Sequence, residues 1–154
     1  MEKGKYTALD IAKWFLWYNN KVVMVDSDAD YISNLKLQKL LYYAQGSFLA
    51  IKDQLLFGDD LLAWEHGPVV SEVYQKYKKY RSDGIPFEEE YKNNIVKEDE
   101  DLLKEVYRVF GKYSAWGLRE MTHNETPWKE TKRNDVISTD SIKNYFKEHY
   151  VEEA

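Results

Sequence analysis

His66 and His123 each stand close to a carboxylate and a proline in the sequence, and these residues are the best suited to chemistry. His66 directly follows Glu65, and Glu125 comes two residues after His123. Imidazole and carboxylate groups can bind a divalent metal or act as bases in hydrolysis. A small metal-binding hydrolase that uses His123 with Glu125 or His66 is therefore an alternative function for this sequence. The alternative is a purely structural role, in which both histidines hydrogen-bond within turns, beside Pro68 and Pro127.

Other catalytic signatures are missing from the sequence. The chain has no cysteine, which excludes disulfides, thiol catalysis and the cysteine half of a zinc deaminase motif. Asp26, Asp28 and Asp30 have the spacing at which a calcium loop begins, but Leu37 occupies the position of its bidentate glutamate. A glycine-rich phosphate loop and a nucleophile elbow are also missing. We expect no catalytic residue, no metal and no cofactor.

The charge of the chain is unevenly distributed along its 154 residues. The net charge is −5, and residues 82–154 carry 17 acidic against 11 basic side chains. An acidic half disfavours binding to a phosphate backbone and suits a basic protein partner, so we do not expect nucleic acid as a ligand. A nucleic-acid-binding regulator is kept as a second alternative. Apolar runs are too short to cross a bilayer, so we expect a cytoplasmic protein without a membrane partner.

Apolar spacing predicts one mainly α domain over residues 1–154, a helical bundle with a small β-hairpin between the second and third main helices. Thr7 and Ser33 are predicted N-caps of helices that run to about Lys21 and Lys52. The hairpin is predicted from Leu55–Phe57 and Leu61–Trp64 around Gly58–Asp60. Later helices are predicted to begin at Gly67-Pro68, Lys97, Ser114, Thr126-Pro127 and Ser138 or Thr139, and the one at Lys97 to end near Tyr113.

The second helix is predicted to be the centre of the fold. Its apolar residues lie on most of its sides, which indicates neighbours all round. Gly46 in its middle suggests that another backbone passes close by. Lys39 lies among apolar residues, and its ammonium could reach solvent, meet an acid or a carbonyl, or contact a partner.

Three separated motifs carry a resemblance to a known family. They read Leu-x-Lys-Leu-Leu-Tyr-Tyr-Ala-x-Gly from Leu37, Trp-x-x-Gly-Pro-Val from Trp64, and Leu-x-x-x-Thr-His-x-x-x-Pro-Trp from Leu118. In this order they resemble the Panacea family of SocA-like antitoxins, which are often phage-associated. A tyrosine, Tyr74, follows the second motif. We assign the following residues to the scaffold: Leu37, Leu40, Tyr43, Gly46, Trp64, Gly67, Pro68, Tyr74, Pro127 and Trp128.

The resemblance implies a role that the residues alone do not. Family members that have been given a role resemble antitoxins, which bind and neutralise a co-encoded toxin. One kind of these members is similar to an adaptor that delivers the toxin to a AAA+ protease. We therefore expect a non-enzymatic protein whose partners are a cognate toxin and, in the adaptor case, such a protease. Lys39, Glu65, His66 and His123 are the polar candidates for partner binding.

Overall fold

The computed structural model describes residues 4–151, so the first and last three residues of the predicted 1–154 domain lie outside the described part. Between residues 4 and 151, no helix is long and apolar enough to span a membrane. The chain forms a mainly α structure with one two-stranded sheet, as the sequence predicts. Its elements are α1 (Ala8–Val25), α2 (Asn34–Lys52), β1 (Leu62–Trp64), β2 (Gly67–Val69), α3 (Ser71–Tyr77) followed by a 3₁₀ turn (Lys78–Tyr80), α4 (Lys97–Phe110), α5 (Ala115–His123), α6 (Thr126–Lys129) and α7 (Thr139–His149).

Helix α2 lies at the centre of the fold and confirms that prediction. It contacts α1, α3, α4, α5, α7 and β2, and its residues from Leu37 to Ala50 are all buried. A helix surrounded in this way obtains its stability from packing, because its apolar residues are removed from water on every side.

The predicted N-caps are confirmed at four helices. The side chains of Thr7, Ser33, Ser114 and Ser138 each accept a hydrogen bond from a backbone N–H in the first turn of the helix that follows. Such a cap stabilises a protein by about 1 kcal/mol. Helix ends are less well predicted. Helix α1 continues to Val25 rather than stopping near Lys21, and α4 ends at Phe110 rather than Tyr113.

The hairpin lies between α2 and α3 as predicted, and the predicted strand Leu61–Trp64 contains β1, but its predicted partner strand is wrong. β1 pairs in antiparallel fashion with β2, across the turn Glu65–His66, with Ala63 opposite Pro68. Leu55–Phe57 is not the first strand, because Gln45 of α2 and the backbone of Lys5 and Tyr6 take its hydrogen bonds. The amide oxygen of Gln45 accepts from Leu56 N at 2.8 Å, and its Nε2 donates to Phe57 O at 2.7 Å.

Two further predictions need correction. Gly67-Pro68 does not open a helix, because both residues belong to β2 and α3 begins only at Ser71. The neighbour of Gly46 is an aromatic ring rather than another backbone. A Cβ placed on Gly46 would lie 2.4 Å from the ring of Phe146 in α7. The glycine therefore makes room for the α2–α7 packing.

Candidate partner-binding site

The turn between β1 and β2 exposes Glu65 and His66 at the edge of an open cleft of about 490 Å³. The cleft lies between α2, the hairpin and the end of α3. It has an apolar wall, a floor of amide side chains and a basic end. These are formed respectively by Leu35, Trp64, Val69 and Tyr74, by Asn34 and Gln38, and by Lys78 and Arg81.

Hydrogen bonds fix the floor and the wall of the cleft. Gln38 Nε2 donates to Asn34 Oδ1 at 2.9 Å, and Asn34 Nδ2 donates to Tyr74 O at 3.1 Å. Gln38 Oε1 accepts from Val70 N at 2.9 Å, which ties α2 to the end of the hairpin. The rings of Trp64 and Tyr74 meet edge to face at 5.3 Å. The cleft is therefore preformed, since its walls are held by contacts within the protein.

Lys39 lies behind the turn rather than at the surface. Its side chain is fully buried, and its Nζ donates to Pro68 O at 3.0 Å. Of the three predicted environments of this ammonium, which were solvent, an acid or carbonyl, and a partner, the structure shows a carbonyl. Burial, with a smaller contribution from the positive charge of Arg119, lowers the pKa of Lys39 to about 7.

Gly67 allows the hairpin to approach Lys39 closely. Its φ is +112°, a conformation that glycine adopts readily and other residues rarely do. A Cβ at this position would lie 2.7 Å from Lys39 Cε and 2.8 Å from Thr122 Oγ1. The Gly-Pro pair of the motif therefore places its glycine against the lysine side chain and its proline carbonyl on the ammonium.

His123 belongs to an aromatic stack below the turn. Its ring stacks on Trp128 at 3.9 Å between centroids, and the Arg133 guanidinium packs over the same indole at 3.6 Å. Partial burial lowers the pKa of His123, and the charge of Arg119 acts in the same direction. Its Nε2 is buried without a hydrogen-bond partner among residues 4–151. Lys39 and His123 thus support the turn, while Glu65 and His66 reach solvent.

A ridge beside the cleft was not predicted. Arg119 Nε donates to His66 Nδ1 at 3.1 Å, and the guanidinium lies 4.3 Å from the ring centre of Trp116. Arg119 also pairs with Glu120 at 2.9 Å. The Trp116 side chain is 58% exposed. We call His66, Trp116 and Arg119 the ridge. Its signal in the sequence is the spacing of three between Trp116 and Arg119, which puts them on one side of a helix.

Glu125 faces a tyrosine cluster and not His123. Tyr42 and Tyr43 of α2 each donate to its carboxylate at 2.9 Å, and Tyr150 donates as well. Burial raises the pKa of Glu125, although the three tyrosine hydrogen bonds oppose this effect. The His123–Glu125 pair of the hydrolase alternative is therefore not assembled. Within the described residues, no three His, Asp or Glu side chains are grouped so that they could hold a metal ion.

Comparisons with known proteins agree with the motifs that form this site. The sequence model of the family "Antitoxin SocA-like, Panacea domain" matches residues 37–129, which is more than half of the chain and runs from α2 to α6. Antitoxin SocA of Caulobacter vibrioides (strain NA1000 / CB15N) is 52% identical over 44 residues, which is 29% of this chain and 23% of that protein. The aligned part thus spans under a quarter of the curated relative, and no solved structure matches significantly. The chain belongs to the SocA-like antitoxin family that carries the Panacea domain.

Proposed function

We propose that this protein is an antitoxin that neutralises a partner toxin by direct protein–protein contact. The family of the chain and the name of its relative, Antitoxin SocA, support the class of function. The ridge and the adjoining turn with Glu65 support the place of contact. The mechanism is occlusion or distortion of the toxin's own active surface, and it needs no catalytic group in this chain.

The exposed Trp116, packed against Arg119, is the observation that carries the proposal. Tryptophan and arginine are the residue types that most often dominate binding energy at protein interfaces. Arg119 is held by His66, Glu120 and the Trp116 ring before any partner arrives. A side chain that is already ordered loses little entropy on binding, so such a ridge favours affinity.

Lys39 and His123 have an indirect part in this proposal. Both lie behind the turn, where Lys39 binds the Pro68 carbonyl and His123 stacks on Trp128. We propose that they position Glu65 and His66 and do not touch the toxin themselves. The acidic half of the chain would then speed association with a basic toxin, an effect that weakens with added salt.

Co-expression with the product of the adjacent reading frame tests the proposed function. We expect that product to stop growth alone, and this protein to restore growth and to co-purify with it. Trp116→Ala with Arg119→Ala should weaken binding by about 2 kcal/mol or more, roughly 30-fold in Kd. Tyr113→Ala with Arg108→Ala is the matched control, because this exposed aromatic and arginine lie off the ridge. No rescue and no co-purification by the unchanged protein would overturn the proposal.

The adaptor role requires a separate measurement. We propose that contact alone is sufficient for neutralisation, so the half-life of the toxin after its synthesis is stopped should not change when this protein is present. A half-life shortened by this protein, and restored by inactivating a AAA+ protease, would assign the adaptor role instead. Binding to the ridge would be required in both cases.

A further inference from the structure

We propose that the cleft beside the ridge receives a short segment of the partner polypeptide, in which an acidic residue stands next to a large apolar one. The inference rests on the proposed function and adds which part of the partner is recognised. The cleft continues from the ridge, because His66 contributes to both. A partner seated on Trp116 and Arg119 would therefore lie over its mouth.

The apolar wall of the cleft gives the first half of the recognition. Leu35, Trp64, Val69 and Tyr74 line one side, and Trp64 and Tyr74 are already packed edge to face. A volume of about 490 Å³ is within the range of small-ligand pockets and can hold one large side chain with its flanking backbone. Burial of an apolar side chain there would contribute the affinity, since it removes apolar surface of the side chain and of the wall from water.

The basic end gives the second half. Lys78 and Arg81 both line the cleft, and among residues 4–151 Glu65 on the turn is its one acidic lining residue. A guanidinium binds a carboxylate with two parallel hydrogen bonds, so Arg81 suits an Asp or Glu of the incoming segment. The Glu65 carboxylate can meet a backbone N–H or a cation of the same segment.

Backbone strain at the rim supports a binding role for this cleft. Arg81 has φ +54° and ψ −122°, a combination that is costly for any residue except glycine. Asn134, with φ +75°, lines the same cleft. Strained residues collect at ligand sites, where the fold holds a side chain in place at the expense of stability. Glycine would adopt the Arg81 backbone conformation without strain, but it would leave the cleft without a guanidinium.

A peptide fits this cleft better than a nucleic acid strand does. Binding of a phosphate backbone relies on several cations along a track, whereas the described lining has two, Lys78 and Arg81, and Glu65 would repel the strand. The net charge of −5 acts in the same direction. A segment with one carboxylate needs only one guanidinium.

Peptide display tests the inference independently of the toxin. The full chain is screened against random twelve-residue peptides, and one enriched peptide is synthesised and titrated by fluorescence anisotropy. We expect an acidic residue beside an aromatic or aliphatic one, and binding at least about tenfold weaker for Lys78→Glu with Arg81→Glu. Lys76→Glu with Lys79→Glu is the matched control. It makes the same charge change in the same segment, but these lysines line a separate cavity with Tyr77 and Phe87.

The outcomes separate this inference from the proposed function. Three results would overturn the proposal that this cleft binds the partner. They are an equal loss of binding in both double variants, unchanged binding in Lys78→Glu with Arg81→Glu, and enriched peptides without an acidic residue. If the charge reversal unfolds the chain, Lys78→Gln with Arg81→Gln must show the same loss. Tighter binding of a labelled single-stranded oligonucleotide than of the peptide would also overturn it in favour of nucleic acid. If the charge-reversed variant still restores growth of cells that express the toxin, the ridge remains the proposed contact and only the role of the cleft is rejected.

Discussion

The indole nitrogen of Trp128 donates a hydrogen bond to the backbone carbonyl of Trp64 at 2.8 Å, across 64 residues of sequence. This bond fixes α6 against β1. It also joins the second motif, which begins at Trp64, to the third motif, in which His123 stacks on Trp128 beneath the turn. The two tryptophans therefore act together, as a support for the turn that carries Glu65 and His66.

Trp128→Phe should lower the free energy of unfolding by about 1 to 3 kcal/mol, because the partly buried Trp64 carbonyl loses its donor and the smaller ring packs less well. Urea unfolding measures the effect. Trp116→Phe is the control, since its exposed ring makes no such bond, and it should change stability by less than about 0.5 kcal/mol. Equal effects at the two positions would contradict the role given to the bond.

Gly67→Ala should destabilise the protein by about 2 kcal/mol or more. The added methyl would meet the Lys39 side chain and Thr122 Oγ1, and φ at +112° is unfavourable for alanine. Gly117→Ala in α5 is the control. There the nearest atom would be 3.2 Å away, and the change should stay within about 1 kcal/mol because alanine favours a helix. A tolerated Gly67→Ala would show that the hairpin does not need its close approach to α2.

Lys39 should make stability depend on pH above neutrality. The pKa of Lys39 is about 7 in the folded protein and has its ordinary value of 10.5 in the unfolded chain, so between these values the unfolded state binds more protons. Stability should therefore rise from pH 7 toward pH 10, by up to about 1.4 kcal/mol per pH unit. Lys39→Met removes this contribution. Urea unfolding of both proteins at several pH values measures it, and parallel curves would show that the buried amine does not titrate in this range.

Arg81→Gly should raise stability and weaken binding at once. Glycine relieves the backbone strain at φ +54°, which is worth about 1 to 3 kcal/mol, and loses about 0.5 to 1 kcal/mol through its freedom in the unfolded chain. A net gain near 1 kcal/mol is expected in urea unfolding. The same variant should bind the displayed peptide more weakly. A loss of stability would show that Arg81 is held by contacts that outweigh its strain.

Local chemistry made much of the fold predictable. The hydroxyls of Thr7, Ser33, Ser114 and Ser138 cap their helices because a cap depends only on neighbouring residues. The apolar residues of α2 likewise predicted its central place, since a helix without a polar side must be covered.

The strands and the site depended on partners distant in sequence. Pro68 suits the first turn of a helix and equally an outer strand, and only the positions of Lys39 and β1 decide between them. In the Glu125 cluster, Tyr42 lies 83 positions and Tyr43 lies 82 positions before Glu125 in the sequence. No local pattern predicts contacts over such separations. Of the four predicted partner-binding residues, His66 contacts Trp116 and Arg119, which only the fold brings near.

The two-stranded sheet offers no free edge in the part of the chain that the structure describes. On the outer side of β1, Ala63 N donates to Asp135 O and Ala63 O accepts from Asn134 N. On the outer side of β2, Pro68 has no N–H and its carbonyl is taken by Lys39. A partner cannot extend this sheet with a strand of its own, so whatever binds here must be gripped by side chains. The same closed edges protect the hairpin from pairing with a second copy and growing into an aggregate.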